Sequence, residues 1–137
     1  MQRSIKGHLD KLSVFKDFAL SLAKLSKCEQ RGVASLLVTE DLSQVLSIGI
    51  NGGAKGSVQC LCSLPGKETC IHAEQNMLAK NKHDATGMTV IVTLSPCIQC
   101  AAAMINAGIR RVYYVDTWKD TTGIELLKRS GVVIEQL

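Results

Sequence analysis

The sequence predicts a three-layer α/β/α domain built on a mixed five-stranded sheet with helices on both faces. Three observations lead there. Apolar residues recur at helical spacing near the amino terminus. Two strand-like runs then follow with only a short polar link between them. From residue 71 onward, helical and strand-like segments alternate. Alternation favours parallel strands joined by right-handed crossovers, whereas a short polar link favours an antiparallel hairpin. One sheet must therefore hold both kinds of pairing.

Each element has its own signal. Residues 8–25 carry Leu9, Leu12, Phe15, Leu20 and Leu22, with Val14, Phe18 and Ala19 filling in, which predicts an amphipathic helix. Residues 33–39 (VASLLVT) and 45–50 (VLSIGI) read as strands, joined through Glu40, Asp41, Leu42 and Ser43. Residues 51–70 are rich in Gly, Ser and Cys, with Pro65-Gly66 as a turn signal, and read as a loop. Residues 71–80 read as helix and residues 88–94 (MTVIVTL) as a buried strand. Ser95 is the expected N-cap of the next helix, with Pro96 at its first position, and Gly108 is its expected stop. Residues 111–115 then predict a strand, 122–129 a helix and 131–135 a short last strand.

The chain of 137 residues is one domain's worth, so a single domain over 1–137 is expected. Apolar residues make up 46% and charged residues 20%, which excludes a disordered chain. No apolar run approaches the roughly 20 residues of a membrane span. The first ten residues lack the apolar core of a secretory signal, so a cytoplasmic protein with no membrane partner is expected. The net charge of +4, without a run of five like charges, suits a small anionic ligand better than nucleic acid. Cysteines stand at 28, 60, 62, 70, 97 and 100. In a chain of this size without a secretory signal they point to metal binding or catalysis before disulfides.

The informative residues are His72-Ala73-Glu74 and, downstream, Pro96-Cys97-Ile98-Gln99-Cys100. Cys97 and Cys100 are three apart at a helix start, so both thiols share a face, and the helix N-terminus favours thiolate. An imidazole from His72 completes a three-ligand zinc site. Three protein ligands leave one tetrahedral position to solvent, as catalytic zinc requires, and such zinc lowers the pKa of water to about 7. Glu74 is then free to act as acid and base. A structural zinc, or a redox dithiol at Cys97 and Cys100, uses some of the same residues.

H-A-E followed by P-C-x-x-C resembles the signature of the zinc-dependent cytidine and deoxycytidylate deaminase superfamily. The resemblance is closest to the dCMP (deoxycytidylate) deaminases and covers roughly residues 26 to 115. Ser26-Lys27-Cys28-Glu29-Gln30-Arg31 resembles their S-x-C-x-x-R, and Ser47-Ile48-Gly49-Ile50-Asn51-Gly52 their S-x-G-Y-N-G, with Ile50 in place of Tyr. His72 to Asn76 resembles H-A-E-x-N, and the run from Thr93 through Gly108 resembles T-L-x-P-C-x-x-C-A-x-x-I-x-x-x-G-I.

The resemblance implies a cytidine-deaminase-like fold and hydrolysis of dCMP to dUMP with release of ammonia. It implies Zn2+ on His72, Cys97 and Cys100, with Glu74 catalytic. Substrate contacts are implied from Asn51 to the sugar, from the Ala73 N–H to the base carbonyl and from backbone near Ser95 to the exocyclic amine. Arg31 is the preferred 5′-phosphate partner over Lys55 and Lys119. A homo-oligomer, a hexamer in such relatives, and regulation by dCTP and dTTP are implied as well. A second, structural metal on Cys60, Cys62 and Cys70 is a further expectation, with His83 or Cys28 as guesses for a fourth ligand. Cys28 itself is expected to be a small buried residue, and core or interface packing is expected of Tyr113, Tyr114 and Trp118. The alternatives are a deaminase of a free nucleoside or of tRNA adenosine, and a non-catalytic zinc module that binds or regulates a partner.

Overall fold

The computed structural model describes residues 2–56, 60, 62, 64–65 and 69–137. Helix α1 spans Gln2–Ala23 and strands β1 and β2 span Ala34–Val38 and Val45–Ile50. There follow α2 (Ala73–Lys80), β3 (Thr89–Leu94), α3 (Ile98–Asn106), β4 (Arg111–Asp116), α4 (Thr122–Arg129) and β5 (Val133–Gln136). The sheet order is β2-β1-β3-β4-β5. β1 pairs antiparallel with both β2 and β3, while β3, β4 and β5 run parallel. This is the mixed five-stranded sheet that the alternation of segments implied.

Side chains of successive strand residues point to opposite faces, and the core divides accordingly. Leu36, Val38, Ile91 and Tyr113 pack with Leu12 and Ala19 of α1 on one face. Leu37, Val90, Val92 and Val112 pack with Met77 of α2, Met104 of α3 and Leu127 of α4 on the other. Central strands β1 and β3 are buried on both faces, which explains their unbroken apolar runs. Gly49 lets α2 lie directly on β2. A Cβ there would overlap the Ala73 carbonyl oxygen and come within 2.5 Å of the Met77 nitrogen.

Helix α1 begins earlier than the apolar pattern suggests. The start of α3 also differs from expectation. Cys97 is its N-cap, accepting a hydrogen bond from Cys100 N–H, and Ile98 is its first residue. Ser95 is instead drawn into the end of the sheet. Its N–H donates to the Asp116 carbonyl at 2.8 Å, and its Oγ accepts from Trp118 N–H at 2.7 Å. No described helix is long and apolar enough to cross a membrane.

Candidate active site

Two helix N-termini converge at one end of the sheet. α3 leaves the carboxyl end of β3, and α2 is seated on β2 so that its own first residues face that point. His72 is the N-cap of α2, held where its backbone N–H donates to Gln75 Oε1 at 2.9 Å. His72 Nδ1 lies 3.3 Å from Cys100 Sγ and 3.5 Å from Cys97 Sγ. Zinc bonds of about 2.0–2.1 Å to nitrogen and about 2.3 Å to sulfur subtend a tetrahedral edge of roughly 3.5 Å. Both imidazole-to-sulfur distances therefore match the edges of a tetrahedral zinc site, with Nδ1 as the imidazole ligand. The same three residues form a compact His/Cys/Cys group whose donor atoms lie within 4.8 Å of one another.

The electrostatics match a cation site. Hydrogen bonds from Cys100 and His72 bring the Cys97 thiol down to about 4, while Cys97 beside it and burial push Cys100 well up. Without a cation the pair thus carries one negative charge, because two adjacent thiolates repel. A bound divalent ion removes that restriction and takes both as thiolates. The hydrogen bond to Cys97 raises the His72 imidazole. Glu74, in the first turn of α2, is 5% exposed. Burial pushes its carboxyl up to about 7, where a single group can both accept and return a proton near neutral pH.

A cavity of about 320 Å³ opens over these groups. His72, Ala73, Glu74, Ser95 and Cys97 line one side, and Arg31, Asn51, Leu94 and Trp118 contribute to the rest. The sequence-derived site residues Arg31, Asn51, His72, Ala73, Glu74, Ser95 and Cys97 thus share one cavity, and Cys100 lies buried behind it. Ala73 is the first residue of α2, so its N–H has no partner within the helix. Asn51 is bound mostly to the protein: its Oδ1 accepts from Ser26 Oγ and Val33 N–H, and its Nδ2 donates to the Arg31 carbonyl at 2.7 Å. One amide hydrogen is left for a ligand. Lys55 and Lys119 do not line the cavity. Tyr113 belongs to the core beside α1, as expected, whereas Trp118 lines the cavity.

Cys28, expected to be a small buried residue, is only partly buried. It stands with Cys60, Cys62 and Cys70 in a second group of donors lying within 4.8 Å of one another. Its sulfur is 3.9 Å from Cys60 Sγ, which is 3.3 Å from Cys70 Sγ. A tetrahedral zinc with four sulfur ligands sets edges near 3.8 Å. His83, the other guess for a fourth ligand, is exposed and bonded to Asn81. The Glu29 N–H donates to Cys60 Sγ and is the leading cause that brings this thiol down to about 7. Burial pushes Cys70 up. Asp116 went unnoticed in the sequence. Its carboxylate accepts from Arg31 Nη2 at 2.7 Å, across 85 residues of chain, and no local pattern marks it.

One mixed sheet thus carries a His/Cys/Cys donor set and a buried carboxylate where two helices begin. The family model for the cytidine and deoxycytidylate deaminase zinc-binding region matches residues 9–116. The chain belongs to this family. It is 33% identical to ComE operon protein 2 of Bacillus subtilis, over 85% of this chain and 65% of that protein. It is 30% identical to the deoxycytidylate deaminase of Schizosaccharomyces pombe, over 90% of this chain and 43% of that protein. The chain therefore spans under two thirds of the length of these two curated relatives. A solved structure of dCMP deaminase from the cyanophage S-TIM5, in complex with dCMP and dUMP, superposes with a TM-score of 0.82 at 30% identity. That match covers 91% of this chain and 95% of the phage chain.

Proposed function

We propose that the chain hydrolyses dCMP to dUMP and ammonia as one deaminase domain, with zinc held by His72, Cys97 and Cys100. The observation that carries this reading is the pairing of that donor set with Glu74, a carboxyl buried at the base of the cavity and poised near neutral pH. Likeness to the dCMP-bound phage enzyme supports the choice of substrate.

Zinc, when bound, supplies Lewis-acid activation of water at neutral pH. The chain's own residues do the rest. Glu74 takes a proton from the attacking water and passes it to N3 of the pyrimidine as the C4–O bond forms. It then takes the proton of the new C4 hydroxyl and delivers it to the exocyclic amine; the C4–N bond breaks as the C4 carbonyl forms, and ammonia leaves. The Ala73 N–H, unpaired at its helix start, holds the base carbonyl. The Ser95 carbonyl accepts from the amine, and Arg31 meets the 5′-phosphate with charge-assisted hydrogen bonds. Asn51 keeps Arg31 in place through its bond to the Arg31 carbonyl. The two helix N-termini favour negative charge developing on the ring.

A second zinc on Cys28, Cys60, Cys62 and Cys70 belongs to the same proposal, supported by the mutual distances of their donor atoms. Zinc content near two per chain is expected, falling to one in Cys28→Ser. None of the six cysteines is in a disulfide, which suits a reducing compartment such as the cytoplasm. Assembly into a hexamer and regulation by dCTP and dTTP, implied by the resemblance, are checked by light scattering with and without those nucleotides.

The deciding experiment measures ammonia release from dCMP, deoxycytidine, cytidine and a tRNA anticodon stem, with zinc quantified. Turnover of dCMP above the others is expected. Glu74→Ala is expected to retain zinc and lose turnover. Near-full activity in that variant refutes the mechanism, and release only from the RNA stem refutes the substrate. No release from any of them favours a binding module.

A further inference from the structure

Asp116 is tied to the cavity at three points. It ends β4 in register with Leu94 of β3, its carbonyl oxygen accepts the Ser95 N–H at 2.8 Å, and its Oδ2 accepts from Arg31 Nη2 at 2.7 Å. Arg31 is anchored too, because Asn51 Nδ2 donates to its carbonyl oxygen. Among the described residues that line the cavity, Arg31 is the only Lys or Arg. Asp116 does not itself line the cavity; its carboxylate stands on the outer side of it, against Arg31, which does, and the two charged side chains are 51% and 56% exposed.

We propose that Asp116 is a specificity-determining residue that restricts the nucleotide to a single phosphate. The inference rests on the reading of Arg31 as the phosphate partner and adds to it a limit on charge. A guanidinium carries five N–H donors in a planar fork, and the contact with Asp116 occupies only Nη2. The remaining donors can meet one phosphate while the carboxylate stays where the β4 backbone holds it. A second or third phosphate must continue outward over a rim that already bears a fixed negative charge. Like unit charges about 4 Å apart, even in water, repel enough for roughly a fivefold loss of affinity. A nucleoside without phosphate leaves Arg31 paired with Asp116 and gains nothing from it. Asp116 therefore weakens Arg31 slightly for every anion and penalises the most highly charged ligands most.

Asp116→Asn tests this, since the amide keeps the shape and an oxygen that accepts from Arg31 but removes the charge. Zinc-loaded protein made inactive by Glu74→Ala, with and without the Asp116→Asn change, is titrated calorimetrically with dCMP and dCDP at low salt, and kcat and KM for dCMP and dCDP are measured alongside in the active background. The unsubstituted protein is expected to bind dCMP at least roughly fivefold more tightly than dCDP. The variant is expected to lose that preference through KM and not through kcat. Added salt should narrow the ratio in the unsubstituted protein and leave the variant's ratio flat. Arg31→Gln separates the two layers of the argument. If it binds dCMP as tightly as before, the phosphate reading falls and this proposal with it. If Arg31→Gln is impaired but Asp116→Asn keeps the same dCMP to dCDP ratio, this proposal alone falls. Equal affinity of the unsubstituted protein for dCMP and dCDP also overturns it.

Discussion

Gly49→Ala tests whether the site depends on how closely α2 is seated on β2. The added Cβ would overlap the Ala73 carbonyl oxygen and sit 2.5 Å from the Met77 nitrogen. Comfortable separation between such atoms is about 3.5 Å, so helix and strand must part by at least about 1 Å. The obstructing atoms are backbone, and no rotamer change relieves them. Overpacking of this kind costs about 1–3 kcal/mol, or a fall in melting temperature of several degrees for a domain of this size. The consequence for the site is larger. His72 and Glu74 ride on the first turn of α2, and zinc–ligand bonds tolerate only about 0.2 Å. A misplacement of about 1 Å at a catalytic group costs on the order of 100-fold in rate. Bound zinc is measured by atomic absorption, dCMP turnover by ammonia release and stability by thermal denaturation. Gly52→Ala serves as control, because nothing lies within 4 Å of its Cβ position. A Gly49→Ala protein with full zinc content and turnover would show that the strand alone yields, and the reasoning would be refuted.

Gly123→Ala should act in the same way on the other half of the site. Its Cβ would overlap the Pro96 carbonyl oxygen and lie 2.8 Å from the Cys97 carbonyl carbon, so weaker zinc retention under mild chelation is expected and retention equal to the unsubstituted protein argues against it. In zinc-free protein, Glu74 contributes a pH term of definite sign. Its carboxyl is raised from 4.5 to about 7 by burial, so its favourable contribution is full below pH 4.5 and is lost as pH rises to about 7, amounting to about 3 kcal/mol. Cys97, held low, acts in the opposite direction, and the stability difference between Glu74→Gln and the unsubstituted protein isolates the Glu74 contribution. That difference should widen in favour of Glu74→Gln across the window, and urea titrations showing parallel pH curves would contradict it. Thr89 carries a buried hydroxyl without a hydrogen-bond partner, so Thr89→Val should raise stability by about 1 kcal/mol, and a loss in the same titration would count against that reading.

The sheet was legible because its signals are local. Two apolar runs with a short, mostly polar link make a hairpin, and alternating helix and strand leave few topologies open. The His/Cys/Cys group was legible for a similar reason: Cys97 and Cys100 stand three apart at a helix start, His72 and Glu74 stand together at another, and only the meeting of the two segments is long-range. The failures mark places where tertiary bonding overrules a local preference. Ser95 has the chemistry of an N-cap, but its N–H and Oγ are both taken by the end of β4 and the residues beyond it. The cap falls to Cys97, which can cap α3 and face His72 at once. Cys28 stands 32 residues from Cys60, and no periodicity joins them. What brings them together is the seam between the segment before β1 and the loop before α2, where Gln30 Nε2 donates to the Cys62 carbonyl and Ser26 Oγ to Asn51. The Arg31–Asp116 pair arises in the same way, from the loop before β1 meeting the end of β4. A motif names residues that share an element. The partners that tune those residues come from other elements, and only the folded sheet brings them within reach.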